Sequence, residues 1–107
     1  MSSPYNPPTS DEGYLREFND WHPDFAMLVA QENHIQLGEA HWEVIQLLRS
    51  TYEVTHISPN TRALVKLVKT QLGPQKGNSP YLMQLFSGKP APIACKIAGL
   101  PKPKQCF

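Results

Sequence analysis

The amino-acid sequence predicts a mostly α-helical protein, a small orthogonal bundle of short helices. The chain has 107 residues, 40% of them hydrophobic, which suits one domain with a modest core. Its eleven prolines punctuate the chain at short intervals, and several follow residue types that begin or end helices. No stretch shows the strict alternation of apolar and polar residues that is typical of a half-buried strand. No apolar run approaches the roughly 18 residues of a membrane-spanning helix.

Two helices are expected in the first half of the chain. Asp20 as N-cap and Pro23 in the first turn predict a helix over residues 21–30. Its apolar residues recur on one face, at Trp21, Phe25, Leu28 and Val29. A longer helix is predicted over residues 39–54, with Arg49 on its exposed side. The residues expected on its buried side are Trp42, Ile45, Leu48 and Tyr52.

Three further helices are expected in the second half. Ser58-Pro59 and Asn78-Ser79-Pro80 each place a capping side chain before a proline in the first helical turn. Gly73-Pro74 and Gly99 supply the residue types that end helices. These signals predict helices over residues 59–72, 80–86 and 92–98.

The two ends of the chain are expected to differ from the helical domain, which covers residues 11–98. Residues 1–10 are rich in Pro, Ser and Asn and are predicted to be disordered. After Gly99, two prolines at alternate positions favour an extended arm without internal hydrogen bonds. This predicted mobile arm, residues 99–107, reaches about 20 Å from Gly99 to Cys106, at roughly 3.1 Å per residue.

The two cysteines are the candidates for chemistry. Cys106, at the end of the arm, is expected to be exposed, and Cys95 lies in the last predicted helix. A disulfide between them is feasible if their Cα atoms come within about 7 Å. Lys96, Lys102 and Lys104 surround the pair and would favour the thiolate forms. The alternative, equally weighted, is that Cys95 is a small core residue and Cys106 an inert tail thiol.

Charge is divided unevenly along the chain. Residues 1–53 hold all nine acids and two bases, a net charge of −7, whereas residues 54–107 hold eight bases and no acid, a net charge of +8. The division indicates either an anionic partner or two halves that neutralise each other locally. Arg62, Lys66 and Lys69 share one face of a predicted helix. A nucleic-acid-binding helix-turn-helix regulator is therefore an alternative, less favoured than a solvated face.

Several functional classes are disfavoured. Two cysteines do not supply the four ligands of a structural zinc, so no metal site is predicted. No nucleophile signature, cofactor loop or phosphate-binding glycine motif is present, so a self-sufficient enzyme is not expected. The N-terminus lacks the basic and apolar regions of a signal peptide, and the expected compartment is the reducing cytoplasm.

Residues 94–103, reading ACKIAGLPKP, followed by a penultimate cysteine, closely resemble the C-terminus of the DsrC/TusE family of sulfur carriers. Further matches occur at residues 11–15, 41–45, 76–79 and 81–86, so the resemblance covers residues 11–107. It implies a helical domain with a helix-turn-helix-like arrangement. It also implies a short N-terminal β-hairpin, which the Pro/Ser/Asn-rich first ten residues would reduce to a vestige.

The resemblance also implies roles for named residues. Cys106 matches the family cysteine that carries sulfur covalently as a persulfide, without a bound cofactor. Cys95 matches the upstream cysteine that DsrC has and TusE lacks, and the two would be linked by a disulfide or a sulfite-derived trisulfide. Arg62 and Lys66 match basic positions that would hold sulfur oxyanions or a partner's acidic surface.

The main hypothesis from this resemblance is a DsrC-type carrier that acts with dissimilatory sulfite reductase in sulfite reduction or sulfur oxidation. An upstream sulfurtransferase of the TusBCD or DsrEFH type would load it, and a membrane-bound disulfide reductase would recycle it. The alternative is a TusE-like relay for tRNA 2-thiouridine synthesis, which needs only Cys106. In either case a monomer without membrane insertion is expected.

Overall fold

A computed structural model describes residues 7–103 and confirms the mostly α-helical bundle. A 3-10 turn, Phe18–Asp20, precedes five helices. The helices are α1 (Pro23–Glu32), α2 (Glu39–Thr55), α3 (Thr61–Leu72), α4 (Ser79–Phe86) and α5 (Pro90–Ala98). Residues 7–103 contain no strand and a single bridge, between Thr9 and Leu15, so this part of the chain forms no β-hairpin beyond that pairing. No helix in the described range is long and apolar enough to cross a membrane.

The N-cap side chain accepts a backbone N–H at the starts of α1, α3 and α4, and the caps of α1 and α3 differ from the prediction. Asp20 lies in the 3-10 turn, and His22 caps α1, with its Nδ1 accepting the backbone N–H of Asp24 at 3.1 Å. Helix α3 begins after Asn60, whose side chain accepts a backbone N–H at 2.9 Å, and not after Ser58. In both cases two cap-forming residues stand two positions apart, and local sequence does not decide between them.

Helix α5 is the centre of the bundle and contacts each of the other four helices. It begins at Pro90, two residues before its predicted start, and six of its nine residues are buried. The small side chains of Ala91, Ala94 and Ala98 let the neighbouring helices approach closely. A helix that is apolar nearly all round suits this central position. The large buried side chains of the surrounding core include Phe86, Ile45, Leu48, Leu64 and Leu82.

Residues 8–16 form a turn before the 3-10 turn. The backbone N–H of Ser10 donates to the carbonyl of Tyr14 at 2.7 Å, and that of Arg16 donates to the carbonyl of Pro8 at 3.2 Å. Tyr14 and Leu15 are buried. Residues 8–10 of the segment predicted to be disordered belong to this turn, and residues 1–6 lie outside the described residues.

Candidate functional site

The chain leaves α5 through a turn at Gly99. This residue has a φ of +79°, in the left-handed region that glycine favours. The backbone N–H of Leu100 donates to the carbonyl of Cys95 at 2.9 Å, and the Leu100 side chain is fully buried. A Cβ at position 99 would lie only 2.4 Å from Cδ1 of Trp21. The starting direction of the C-terminal segment is therefore set by the backbone and by an aromatic contact.

Trp21 and Arg49 bind two successive carbonyls at the end of α5, and we call this pair the clamp. Trp21 Nε1–H donates to the carbonyl of Ile97 at 2.9 Å, and Arg49 Nη1–H donates to the carbonyl of Ala98 at 2.8 Å. The prediction that Arg49 lies on the exposed side of α2 is wrong, because its half-buried side chain reaches the C-terminus of α5. A guanidinium there complements the negative end of the helix dipole.

Residues 101–103 continue along the body of the domain. Ser58 Oγ–H donates to the carbonyl of Pro101 at 2.6 Å. Lys102 forms an ion pair with Glu12, with Nζ and Oε2 2.9 Å apart. Pro103 is fully buried. The described part of the predicted mobile arm thus packs on the domain.

Cys95 is a core thiol with 0% of its surface exposed. Its Sγ lies 3.8 Å from the carbonyl oxygen of Pro59. Burial raises the pKa of the Cys95 thiol to about 12, because the thiolate would lose its hydration. The expectation that neighbouring lysines favour a thiolate is therefore wrong for this cysteine. Lys96 Nζ instead lies 5.0 Å from the ring centroid of Tyr14, and Lys102 forms its ion pair elsewhere.

Two of the other predicted site residues lie on the surface of the domain. Arg62 and Lys66 are exposed on α3, one turn apart, and neither forms an ion pair with another residue of the described range. Lys104 and Cys106 lie outside the described residues, so their roles stay predictions.

The structure accounts for part of the charge division. Lys76 Nζ lies 2.7 Å from Glu43 Oε1, and the ion pair between Lys102 and Glu12 likewise joins the basic half to the acidic half. Local neutralisation between the halves is therefore real for these two lysines. The bases that remain exposed and without an ion pair within residues 7–103 include those of α3.

A groove of about 570 Å³ lies beside the root of the C-terminal segment, between the end of α2, the start of α3 and Pro101. Ile57, which is 66% exposed, and Pro59 line it. Because the Pro59 carbonyl contacts the Cys95 Sγ, this thiol lies directly behind the groove wall. Within the described range no three potential ligands come together to hold a metal ion.

The residues at the end of α5 that sequence reasoning missed are Trp21, Arg49 and Ser58. One signal was available for Arg49, which is the single arginine or lysine in the helix predicted over residues 39–54. Trp21 was assigned to the apolar face of α1, although it precedes that helix and donates to α5 instead. Ser58 was predicted to be a helix cap, because nothing in the neighbouring sequence indicates its long-range hydrogen bond to Pro101.

Fold and site together define a small helical domain that presents its C-terminal segment from the end of a buried central helix. The model of the family described as "DsrC like protein" matches residues 4–107, and the chain belongs to this DsrC-like family.

Similar proteins are named for sulfur metabolism. The sulfurtransferase TusE of Photorhabdus laumondii is 47% identical over 99 residues, covering 92% of this chain and 89% of the relative. The solution structure of Allochromatium vinosum DsrC is 46% identical, with a TM-score of 0.83, covering 92% of this chain and 88% of that one. The oxidised DsrC, the γ-subunit of the dissimilatory sulfite reductase from Archaeoglobus fulgidus, is 34% identical, with a TM-score of 0.77, covering 94% and 91%.

Proposed function

We propose that this protein is a TusE-like relay sulfurtransferase, which accepts sulfur as a persulfide on Cys106 and passes it to a partner. The observation that carries the proposal is the 47% identity to the Photorhabdus laumondii sulfurtransferase across nearly the whole of both chains. This favours the alternative hypothesis over the DsrC-type role with dissimilatory sulfite reductase. The partners proposed are a donor of the TusBCD or DsrEFH type and a recipient in tRNA 2-thiouridine synthesis.

The proposed transfer is a thiol exchange without net oxidation. The Cys106 thiolate attacks the outer sulfur of the donor's persulfide, and a new sulfur–sulfur bond forms on Cys106. The sulfur–sulfur bond of the donor breaks, and its electron pair leaves with the donor's own cysteine as a thiolate. The same exchange, with Cys106 as the leaving thiolate, delivers the sulfur to the recipient. The chain contributes a thiol and its presentation, and no bound cofactor is involved.

The position of Cys95 supports a relay that uses one thiol. A resolving cysteine must be reached by the oxidised or sulfur-loaded thiol, but Cys95 is 0% exposed behind the groove wall formed by Pro59. Burial also raises the pKa of Cys95 to about 12, which leaves little thiolate at neutral pH. For Cys95 to exchange with Cys106, the segment around Pro59 would have to move away first.

A second candidate function is the DsrC-type carrier that acts with dissimilatory sulfite reductase. The specific observation in its favour is Cys95 itself, together with the 46% identity to Allochromatium vinosum DsrC. In this mechanism Cys95 and Cys106 become bridged, and a membrane-bound disulfide reductase restores the thiols. The exposed Arg62 and Lys66 would hold a sulfur oxyanion or an acidic surface of the reductase.

The test is intact mass measured without reductant, after the reduced protein meets a persulfide donor. The wild type, Cys106→Ser and Cys95→Ser are compared. Under the one-thiol relay, one added sulfur appears in the wild type and in Cys95→Ser, and none appears in Cys106→Ser. A bridged product that needs both cysteines supports the DsrC-type carrier instead. No sulfur on any variant refutes both.

A further inference from the structure

The end of α5 is held by groups from two other parts of the chain. A helix leaves its last carbonyls without intrahelical partners, and two of them here, on Ile97 and Ala98, belong to fully buried residues. The indole N–H of Trp21 and the guanidinium of Arg49 bind them at 2.9 and 2.8 Å. The clamp therefore fixes the final turn of the helix from which the C-terminal segment departs.

Arg49 is itself held on several sides. Its Cζ lies 3.9 Å from the ring centroid of Phe18 and 4.3 Å from that of Trp21, so the guanidinium packs against two aromatic rings. Its second terminal nitrogen donates to the carbonyl of Phe18 at 3.3 Å. A planar, forked group is required for stacking and donating at the same time, and a lysine ammonium cannot do both.

The clamp also touches the residue at which the chain turns. A Cβ at Gly99 would lie 2.4 Å from Trp21 and 3.1 Å from Arg49 Nη1, so the glycine backbone lies against both clamp residues. Pro101 and Pro103 follow at once and restrict the backbone, so the direction set at Gly99 is carried along the segment. Cys106 stands seven residues beyond Gly99 in the sequence.

We propose that Arg49, assisted by Trp21, is a positioning residue for sulfur transfer. The clamp sets the direction in which the C-terminal segment leaves the domain, and it thereby directs Cys106 toward the partner's reacting sulfur. In this proposal the clamp acts on the direction of the segment, and the intrinsic reactivity of the Cys106 thiol is unchanged. This inference rests on the proposed relay function.

The experiment compares Arg49→Ala and Arg49→Lys with the wild type, all in a Cys95→Ala background so that a single thiol reports. Ile45→Val is the matched control, because Ile45 is fully buried on the same helix and is not part of the clamp. Trp21→Phe is the milder second variant, which keeps a ring and removes the N–H donor. Each protein is assayed at a temperature where unfolding is negligible.

Three readouts are taken. The first is kcat/KM for sulfur transfer from a persulfidated sulfurtransferase, with KM and kcat separated. The second is the rate at which iodoacetamide alkylates Cys106. The third is hydrogen exchange of the Leu100 amide, which donates to the Cys95 carbonyl, relative to the amide of Val68 in α3.

Both Arg49 variants are expected to lower kcat/KM with the protein donor about tenfold, while alkylation stays within about twofold of the wild type. Trp21→Phe should show a smaller loss of the same kind, and Ile45→Val none. Exchange of the Leu100 amide should accelerate in the Arg49 variants more than exchange of the Val68 amide.

Two results would overturn the inference alone. One is wild-type transfer by Arg49→Ala, and the other is an equal loss in Ile45→Val, which would reveal a general effect on the fold. A wild-type protein that accepts no sulfur from any donor would instead refute the proposed function, and this inference with it.

Discussion

The burial of Cys95 makes a quantitative prediction about how the two thiols differ in reactivity. The pKa of Cys95 rises from its ordinary value of 9.0 to about 12. Three pH units correspond to an about thousandfold smaller thiolate fraction at any pH below 9, and the thiolate is the nucleophile. Because 0% of Cys95 is exposed, a reagent must also wait for the wall at Pro59 to open. Cys106, predicted from the sequence to be an exposed thiol, serves as the comparison.

The assay is alkylation by iodoacetamide between pH 7 and 9, followed by intact mass. The Cys106→Ser variant reports Cys95 alone, and the Cys95→Ala variant reports Cys106 alone. Alkylation of Cys106 should be at least about a hundredfold faster than alkylation of Cys95 in the folded protein. In concentrated urea, where the environment of Cys95 is lost, the two rates should converge.

A rate for Cys95 within about tenfold of that for Cys106 in the folded protein would refute this reasoning. It would mean that the segment around Pro59 opens readily and that Cys95 is available to exchange. The two-cysteine carrier would then become the better account of the chain.

The same shift predicts how stability depends on pH. Above pH 9 the thiol ionises in the unfolded chain but stays protonated in the fold, so the unfolded state binds fewer protons and the free energy of unfolding falls as pH rises toward 12. Between pH 8.5 and 10.5 this contribution amounts to about 2 kcal/mol. Urea unfolding of the wild type should lose that much more stability over the interval than Cys95→Ala loses. Parallel pH profiles would contradict the assignment.

Two further predictions concern the turn and the basic surface. Gly99→Ala should lower the free energy of unfolding by about 2 kcal/mol or more, because the left-handed backbone strains an alanine and its Cβ meets Trp21 at 2.4 Å. Gly88→Ala, with nothing within 4 Å, should change it by less than about 0.5 kcal/mol, and equal urea midpoints for the two variants would count against the contact. Replacing Arg62 and Lys66 together by Ala should slow association with an acidic sulfurtransferase partner about tenfold at low salt, and less at high salt. A salt-independent effect in stopped-flow binding would argue against that electrostatic role.

The helical elements could be predicted because their signals are local. Helix α4 ends at Phe86 as predicted and begins one residue before the predicted Pro80, with the Asn78 side chain accepting the N–H of Tyr81 at 2.9 Å. The start of α3 could not be predicted, because Ser58 uses its hydroxyl to bind Pro101, 43 residues away. A cap preference describes what a side chain does when nothing else competes for it, and here a distant carbonyl competes.

The site was predictable only in part. The resemblance at residues 94–103 identified the family and made Cys106 the candidate sulfur carrier, a role that remains a prediction. Helical periodicity placed Arg49 on the exposed side of α2. Periodicity describes each helix by itself, so it could not indicate that Arg49 contacts the end of α5. The thiolate expected at Cys95 could not be assessed from the sequence for a related reason: burial raises the pKa of this thiol, and Lys96 and Lys102 contact other partners in the fold.

The sequence by itself determined the class of fold, the approximate helix boundaries and the family, because caps, periodicity and a continuous motif are all encoded over a few neighbouring residues. The tertiary structure decided which charges are neutralised, how deeply Cys95 is buried and how the C-terminal segment leaves the domain. Those properties depend on contacts such as that of Arg49 with Ala98, 49 residues apart. They follow from desolvation and from hydrogen bonds between segments that are distant in the sequence. A local sequence pattern contains no information about either.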